Sequence, residues 1–385
     1  MPLFFKGRQT LKLRDRPFNA KALAVFVMAF GALGVWALVR SFASGPPASP
    51  PIAIGVYPGY NFPADIDSYT QTVGSKPNVV FWFQSFSEPL FYSSQQAGID
   101  SENVTPQISW SPPAGTTLAE LNSGSYDSYL TTQAQAAKVW GRTIQIRLLG
   151  EFNGNWNSYC PCVNGQTDAE FISFWQRVVN IFRTNGATNV QWVWAPNIYI
   201  SGSGNAVPFD SMYPGDGYVD WVGLDGYSYP EAGNPSLLQV FKPSYNDLVA
   251  LTNKPVQISE WGASEQGMDK AAWIRQGFLT DLPQQMPRVS QVDSFDIDNS
   301  SKGEYDWRVN SSPAALAAYQ AVLASPLYGG PKTGDLNGDN QINVYDLSIL
   351  LSHFNASATA AQGDLNQDGI CNISDLSILL SNWGH

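Results

Sequence analysis

Two glutamates stand where the chain turns from apolar to polar, each with a tryptophan close behind. In Arg147-Leu148-Leu149-Gly150-Glu151-Phe152-Asn153-Gly154-Asn155-Trp156, an apolar run from Ile144 to Leu149 stops at a carboxylate and a polar turn. Pro255-Val256-Gln257-Ile258-Ser259-Glu260-Trp261-Gly262 ends in the same way. Buried parallel strands that deliver an acid into a cleft have this form. A pair of such acids suits glycosidic hydrolysis: one carboxyl protonates the leaving oxygen, the other attacks the anomeric carbon, and aromatic faces hold the rings. Read singly, either glutamate serves equally well to pair a buried arginine or cap a helix.

Composition removes the competing chemistries. The only histidines are His353 and His385, so the central region cannot support Ser-His, Cys-His or HExxH zinc chemistry. With 44% hydrophobic and 14% charged residues among 385, the chain is not a disordered acidic polymer and has room for two or three domains. Thirteen tryptophans and 17 tyrosines suit cores and sugar faces alike. The net charge is −11; residues 1–40 hold seven Lys/Arg and one Asp, and the remainder carries a net −17. A body so acidic repels nucleic acid and favours a neutral polymer or a calcium-requiring partner. Cys160 and Cys162 flank Pro161, either as a strained clip or as two free thiols.

The elements that must position the acids follow from periodicity. Eight strand-like runs occur: Ile52–Tyr57, Asn78–Phe86, Val104–Trp110, Thr143–Leu149, Asn189–Trp194, Val219–Leu224, Pro255–Ser259 and Val292–Phe295. Helical patterns alternate with them, among them 168–183 and 270–279. This alternation predicts a (β/α)8 TIM barrel over residues 52–325, and no G-x-G-x-x-G or Walker sequence supports an open doubly wound sheet. Glu151 then ends strand four and Glu260 strand seven, facing one mouth at the roughly 5–5.5 Å separation of retaining enzymes. Asp225, Trp194 and Trp261, with Trp82, Trp110 and Asp296, fall near strand ends and are candidates to line subsites; each tryptophan alone suits core packing better.

Residues 1–21 are basic and run into an uncharged segment, 22–39. The pattern predicts a transmembrane signal-anchor helix over 22–40, a cytoplasmic N-terminus and an extracellular catalytic domain, or a secreted protein if the segment is cleaved. A linker, 41–51, leads to the barrel, and a second, 326–333, leaves it. Beyond it Gly334-Asp335-Leu336-Asn337-Gly338-Asp339 recurs as Gly363-Asp364-Leu365-Asn366-Gln367-Asp368, each followed by Asp-Leu-Ser-Ile-Leu-Leu-Ser. Asp335, Asn337, Asp339 and Asp346 occupy positions 1, 3, 5 and 12 of a calcium loop, with the carbonyl of Gln341 at position 7. Asp364, Asn366, Asp368, Asp375 and the carbonyl of Ile370 repeat the set, so two Ca²⁺ ions are expected. Leu347, Leu350, Leu351 and Phe354, and Leu376, Leu379, Leu380 and Trp383, form one apolar face on each following helix, and Cys371 reads as a small core residue.

The repeat, 334–385, resembles a dockerin, a small all-α, paired F-hand domain, which implies calcium and a cohesin-like partner. Its loop positions 10 and 11 are Val344-Tyr345 and Ile373-Ser374, unlike the common Ser-Thr pairing of that family. The barrel resembles glycoside hydrolase family 26, the retaining β-mannanase and lichenase family. The resemblance rests on Arg147–Trp156, Trp192–Asn197, Tyr213–Asp216 with Tyr218–Tyr227, and Ile258–Gly262. It implies Glu151 as acid/base and Glu260 as nucleophile, with Tyr227 bonded to the nucleophile, Trp156 stacking sugar and Arg147 holding the carboxylates. Asn153, Trp194, Trp261 and Asp225 complete the expected substrate-binding set. The expected activity is a retaining endo-β-1,4-mannanase without a catalytic cofactor. A β-1,3-1,4-glucanase, a xylanase and a silent carbohydrate-binding surface protein are the alternatives. Gly150 stands where the family's mannanases usually have histidine, which keeps the alternatives open.

Overall fold

The computed structural model of the protein describes residues 50–199, 205–330, 332–337, 341–366 and 368–383. It divides near residue 331 into two compact units. Among the described residues no helix is long and apolar enough to cross a membrane. The segment proposed to do so, 22–39, lies outside them, as do Asp339 and His385.

The first unit is a closed barrel of eight parallel strands in sequential order. The strands are β1 (Ala53–Tyr57), β2 (Val79–Ser85), β3 (Thr105–Ser111), β4 (Ile144–Leu148), β5 (Val190–Trp194), β6 (Trp221–Ser228), β7 (Val256–Ala263) and β8 (Val289–Phe295). All eight coincide with apolar runs of the sequence. β6 and β7 run four residues past the expected ends, because the polar residues there, Asp225 and Glu260, are paired inside the barrel instead of marking its rim. The helix Asp168–Thr184 is amphipathic: Thr167 accepts the Glu170 N–H and Glu170 answers with a bond to the Thr167 N–H. It buries Phe171, Phe174, Trp175, Val178, Val179 and Phe182 against the strands. The other expected helix runs from Lys270 to Gln276 and passes into a π turn, Gly277–Asp281.

Strand alternation divides each strand between two environments. On β3 and β4, Ile108, Trp110, Ile144, Ile146 and Leu148 belong to the core under the helices. Gln107, Ser109, Gln145 and Arg147 alternate with them, and their hydrogen bonds run across the barrel interior. The interior of a TIM barrel is more often filled by branched aliphatic side chains. Here Gln107, Gln145, Gln257 and Gln291 form a buried amide layer with Asp293. Gln107 donates to Asp293 Oδ2 at 2.8 Å, Gln291 to Gln257 at 2.7 Å and Gln145 to Gln291 at 3.0 Å. Burial raises the Asp293 pKa to about 7, against the lowering effect of Gln291 and Gln107.

The second unit holds the sequence repeat. Helices Val344–Ser352 and Ile373–Ser381 each start at an asparagine cap, Asn343 and Asn372, and β9 (Ala356–Ser357) pairs antiparallel with β10 (Ile370–Cys371). Its small core is Ile342, Leu350, Cys371 and Leu379, which places Cys371 as a core residue. The expected apolar faces are narrower than the sequence pattern: Leu351 and Leu380 are each 52% exposed, at equivalent positions of the two copies. In a unit this small the core is filled by the preceding leucines, Leu350 and Leu379, with Leu347 and Leu376 packed against it.

Candidate active site

Glu151 does not end β4 but lies three residues beyond it, in a turn where Leu149 and Glu151 both have positive φ, 50° and 54°. Such backbone is costly for non-glycine residues and needs support from its surroundings. The Glu151 N–H donates to Ala195 O at 2.9 Å, Tyr159 Oη to Gly150 O at 2.8 Å and Asn157 Nδ2 to Glu151 O at 2.9 Å. The side chain, partly buried, accepts from Asn197 Nδ2 at 2.6 Å and from Trp156 Nε1 at 3.1 Å. Trp156 is 49% exposed and lies across Gly154, where a Cβ would come within 2.3 Å of the indole; only glycine allows that approach.

Glu260 reaches the barrel mouth through a change of strand phase. β6 pairs Leu224 with Ile258 and then Asp225 with Glu260, so β7 carries one extra residue, Ser259. Strict alternation from Gln257 would turn Glu260 outward and Trp261 inward; the bulge reverses both. Glu260 accordingly faces Arg147, while Trp261 packs among Trp273, Phe278 and Tyr319, 1% exposed. The expectation that Trp261 lines a subsite is therefore corrected. Trp194 is corrected likewise: it is fully buried against Phe152, Phe209 and Tyr213. Trp82 and Trp110 are also fully buried.

Arg147 is the centre of the electrostatics. Its guanidinium, 2% exposed, pairs with Asp225 Oδ1 at 2.9 Å, with Glu260 Oε1, and with Ser109 Oγ at 2.9 Å. Burial works against its charge, but Asp225 and Glu260 outweigh this and hold it protonated. Asp225, fully buried, has no access to a ligand; its place is behind Arg147, and burial raises its pKa despite the cation. Tyr227 Oη donates to Glu260 Oε2 at 2.5 Å. Glu151 is pushed above the ordinary carboxyl range, first by burial and next by the charge of Glu260; Arg147, Asn197 and Trp156 pull it back in part. One carboxyl is thereby biased toward the acid form while the other is held by a cation and a phenol.

Asn153 does not face the cleft either. Fully buried, it donates to Asn197 O and Val207 O, both at 3.0 Å, and accepts the Asn197 N–H at 2.8 Å, tying the loop after β4 to the loop after β5. The same loop is closed by a Cys160–Cys162 disulfide. A cleft opens between Trp156, Asn197, Asn205, Ala206, Tyr227 and Tyr229. The sequence reading missed Asn197, Ser109 and Trp307 as site residues. Asn197 closes the Trp192–Asn197 stretch, which was its signal; Ser109 has the inward phase of β3; Trp307, packed on Tyr227 with centroids 4.9 Å apart, lies in an irregular loop without a pattern.

Residues 126–302 match the model of glycosyl hydrolase family 26, and residues 333–382 match the dockerin type I domain. The chain is 33% identical over 270 residues to Endoglucanase H of Acetivibrio thermocellus, covering 68% of this chain and 29% of that protein. It is 33% identical over 114 residues to a mannan endo-1,4-beta-mannosidase of Bacillus subtilis, covering 28% of this chain and 30% of that one. The chain thus spans less than a third of the length of either relative. A GH26 beta-mannanase from Bacteroides ovatus shares the fold, with a TM-score of 0.54 and 14% identity over 72% of this chain and 90% of that chain. The chain combines a glycosyl hydrolase family 26 domain with a dockerin type I domain.

Proposed function

We propose that the barrel is a retaining endo-β-glycanase acting on a β-1,4-mannan backbone by double displacement. The observation that carries this reading is the division of labour between two carboxyls at one mouth: Glu151 biased to hold a proton, Glu260 held by Arg147 and Tyr227. In the first step Glu260 attacks the anomeric carbon and the C–O bond to the leaving sugar breaks as Glu151 gives its proton to that oxygen. Ester formation removes the negative charge of Glu260, so the pKa of Glu151 falls and it becomes a base. It then takes a proton from water, whose oxygen displaces Glu260 and restores both groups. Trp156, exposed beside the acid, offers its face to a sugar.

A glucan reading, mixed-linkage β-1,3-1,4-glucan before xylan, is favoured by two observations. The likeness to an endoglucanase extends over 270 residues and that to a mannanase over 114. Gly150 also presents no side chain, and a Cβ there would come within 2.9 Å of Arg147 Nε. Reducing-end release from mannan, mixed-linkage glucan and xylan, by the wild type and by Glu260→Ala, tests the proposal. Hydrolysis confined to the wild type is expected. Sugar binding without turnover on every polymer would leave a silent binding protein.

Dockerin type I domains in general bind calcium, and the second loop here has the donor chemistry for it. Asp364 and Asp375 are 4% and 0% exposed, and no ion pair reaches either among the described residues. Asp364 accepts the N–H groups of Asp368 and Gly369, curling the loop around its carboxylate. Asp368 turns its own carboxylate to the Ile370 N–H and Asn366 Nδ2, so three acidic groups are not gathered at one point. Asp364, Asn366, Asp368, the Ile370 carbonyl and Asp375 would hold one ion; Asp335, Asn337, Asp339, the Gln341 carbonyl and Asp346 would hold a second. The ions would neutralise the buried carboxylates. A cohesin-like partner fits the exposed Val344, Tyr345 and Leu351 and their counterparts Ile373 and Leu380. Export, by anchor or by cleaved signal, would bring barrel and polysaccharide together outside the cell.

A further inference from the structure

Lys270 opens the helix Lys270–Gln276, and its side chain is buried, 1% exposed, without a carboxylate in ion-pair reach among the described residues. Its ammonium meets three neutral oxygens instead: Arg308 O at 2.7 Å, Ser311 Oγ at 3.0 Å and Trp307 O at 3.4 Å. Three N–H donors and three acceptors make a complete set, which offsets part of the cost of a buried charge. Glu265, Asp296 and Asp306 surround the site with negative charge and Arg308 with positive charge. Burial lowers the pKa of the amine to about 8, so it remains an ammonium at neutral pH.

The grip continues on the next residue. Asp296 Oδ1 accepts the Val309 N–H at 2.7 Å, so a cation holds the carbonyls of Trp307 and Arg308 and a carboxylate holds the amide after them. Two consecutive peptide units, Trp307–Arg308 and Arg308–Val309, are thus held from two sides, next to a stretch tied down by the Trp307 N–H to Ile297 O bond and the isolated Asp298–Asp306 bridge. The Trp307 ring projects from this clamp onto Tyr227. Gly262 lies against both: a Cβ there would come within 2.8 Å of Trp307 Cε3 and of Tyr227 Cδ1. The phenol so wedged is the one that donates to Glu260.

We infer that Lys270 is a positioning residue for the proposed nucleophile: by holding the Trp307 and Arg308 carbonyls it keeps the Trp307 ring seated on Tyr227 and so fixes the hydrogen bond to Glu260. The inference rests on the reading of Glu260 as nucleophile. Lysine does not touch substrate here; it acts through two aromatic rings.

The test is a double-mutant cycle in the full chain, on whichever soluble β-glycan the wild type hydrolyses. Lys270→Met keeps most of the unbranched stem of the side chain and removes its charge and donors. It is expected to lower kcat about tenfold in the wild-type background with KM little changed, and to have no further effect in a Tyr227→Phe background, where the phenol it positions is gone. An unchanged kcat in the wild-type background, or an equal loss in both backgrounds, overturns the inference; equal losses are what a merely structural clip produces. Lys270→Gln, which retains two donors, carries the same comparison should Lys270→Met fail to fold. A wild type inactive on every glycan overturns the glycanase reading instead.

Discussion

Asp225 stands directly opposite Glu260 across the β6–β7 pair, one step after Leu224 faces Ile258, because Ser259 is an extra residue in β7. Both carboxylates thereby point at one guanidinium, that of Arg147. A polar residue that belongs to a strand, and not to its loop, inherits the rigidity of the barrel. The same one-residue shift sends Trp261 into the wall.

Arg147→Met should unfold the site from within. It leaves Asp225 and Glu260 buried beside each other with no cation, a loss on the order of 3–5 kcal/mol. For a barrel of this size the melting temperature should fall by about 10 °C. A thermal scan showing no change would mean that the pair is not held as the geometry indicates.

Asn197→Ala should move the alkaline limb of kcat/KM to higher pH. The Asn197 amide donates to the Glu151 carboxyl and so favours its ionised form. Without it the proton is held more tightly, and the acid form persists to higher pH. The loop itself stays in place, because Asn153 bonds the backbone of Asn197 and not its side chain. A limb displaced to lower pH, or not displaced, contradicts the assignment of Glu151 as acid.

Asp293 gives the barrel a pH-dependent stability. Its folded pKa is raised to about 7 from the ordinary 3.8. Stability from this group is present in full below the ordinary value and is lost as pH rises through about 7. Asp293→Asn removes the titration, so its stability relative to wild type, followed by thermal scans, should climb between pH 4 and pH 8, by about 4 kcal/mol at most. A difference independent of pH would place the proton elsewhere in the amide layer.

Chelation should act on one unit alone. In EDTA, the amide resonances of residues 341–366 and 368–383 should collapse toward unfolded positions, since buried Asp346, Asp364 and Asp375 lose their counter-charge. The melting temperature of the barrel should not move, and added Ca²⁺ should restore the spectrum. Resonances unaltered by chelation would show that the repeat folds without metal.

The barrel was legible because its strands are apolar on the face that packs under helices, and that face alone sets the pattern. The amide layer was hidden there too: Gln107, Gln145 and Gln257 read as interruptions of apolar stretches, and Gln291 fell just before the run expected at Val292–Phe295, although all four bond to one another or to Asp293 inside the barrel. Glu151 and Glu260 stood out as carboxylates after apolar runs. The tryptophans beside them did not reveal their sides, since a bulge in β7 cannot be seen in Ile258-Ser259-Glu260 and reverses the assignment of Trp261. Trp307 and Lys270 escaped notice for a related reason. Their contact is made through backbone carbonyls in an irregular loop, and carbonyls carry no sequence signal.

The most direct measurement is the identity of the residue that becomes glycosylated. An activated 2-deoxy-2-fluoro glycoside of the sugar whose polymer is hydrolysed should inactivate the protein with a 1:1 mass increase, and peptide mapping should place the adduct on Glu260. Glu151→Ala should still form the adduct from a substrate whose leaving group needs no acid, and should turn it over slowly. No adduct, or an adduct on any residue other than Glu260, would contradict double displacement at this site.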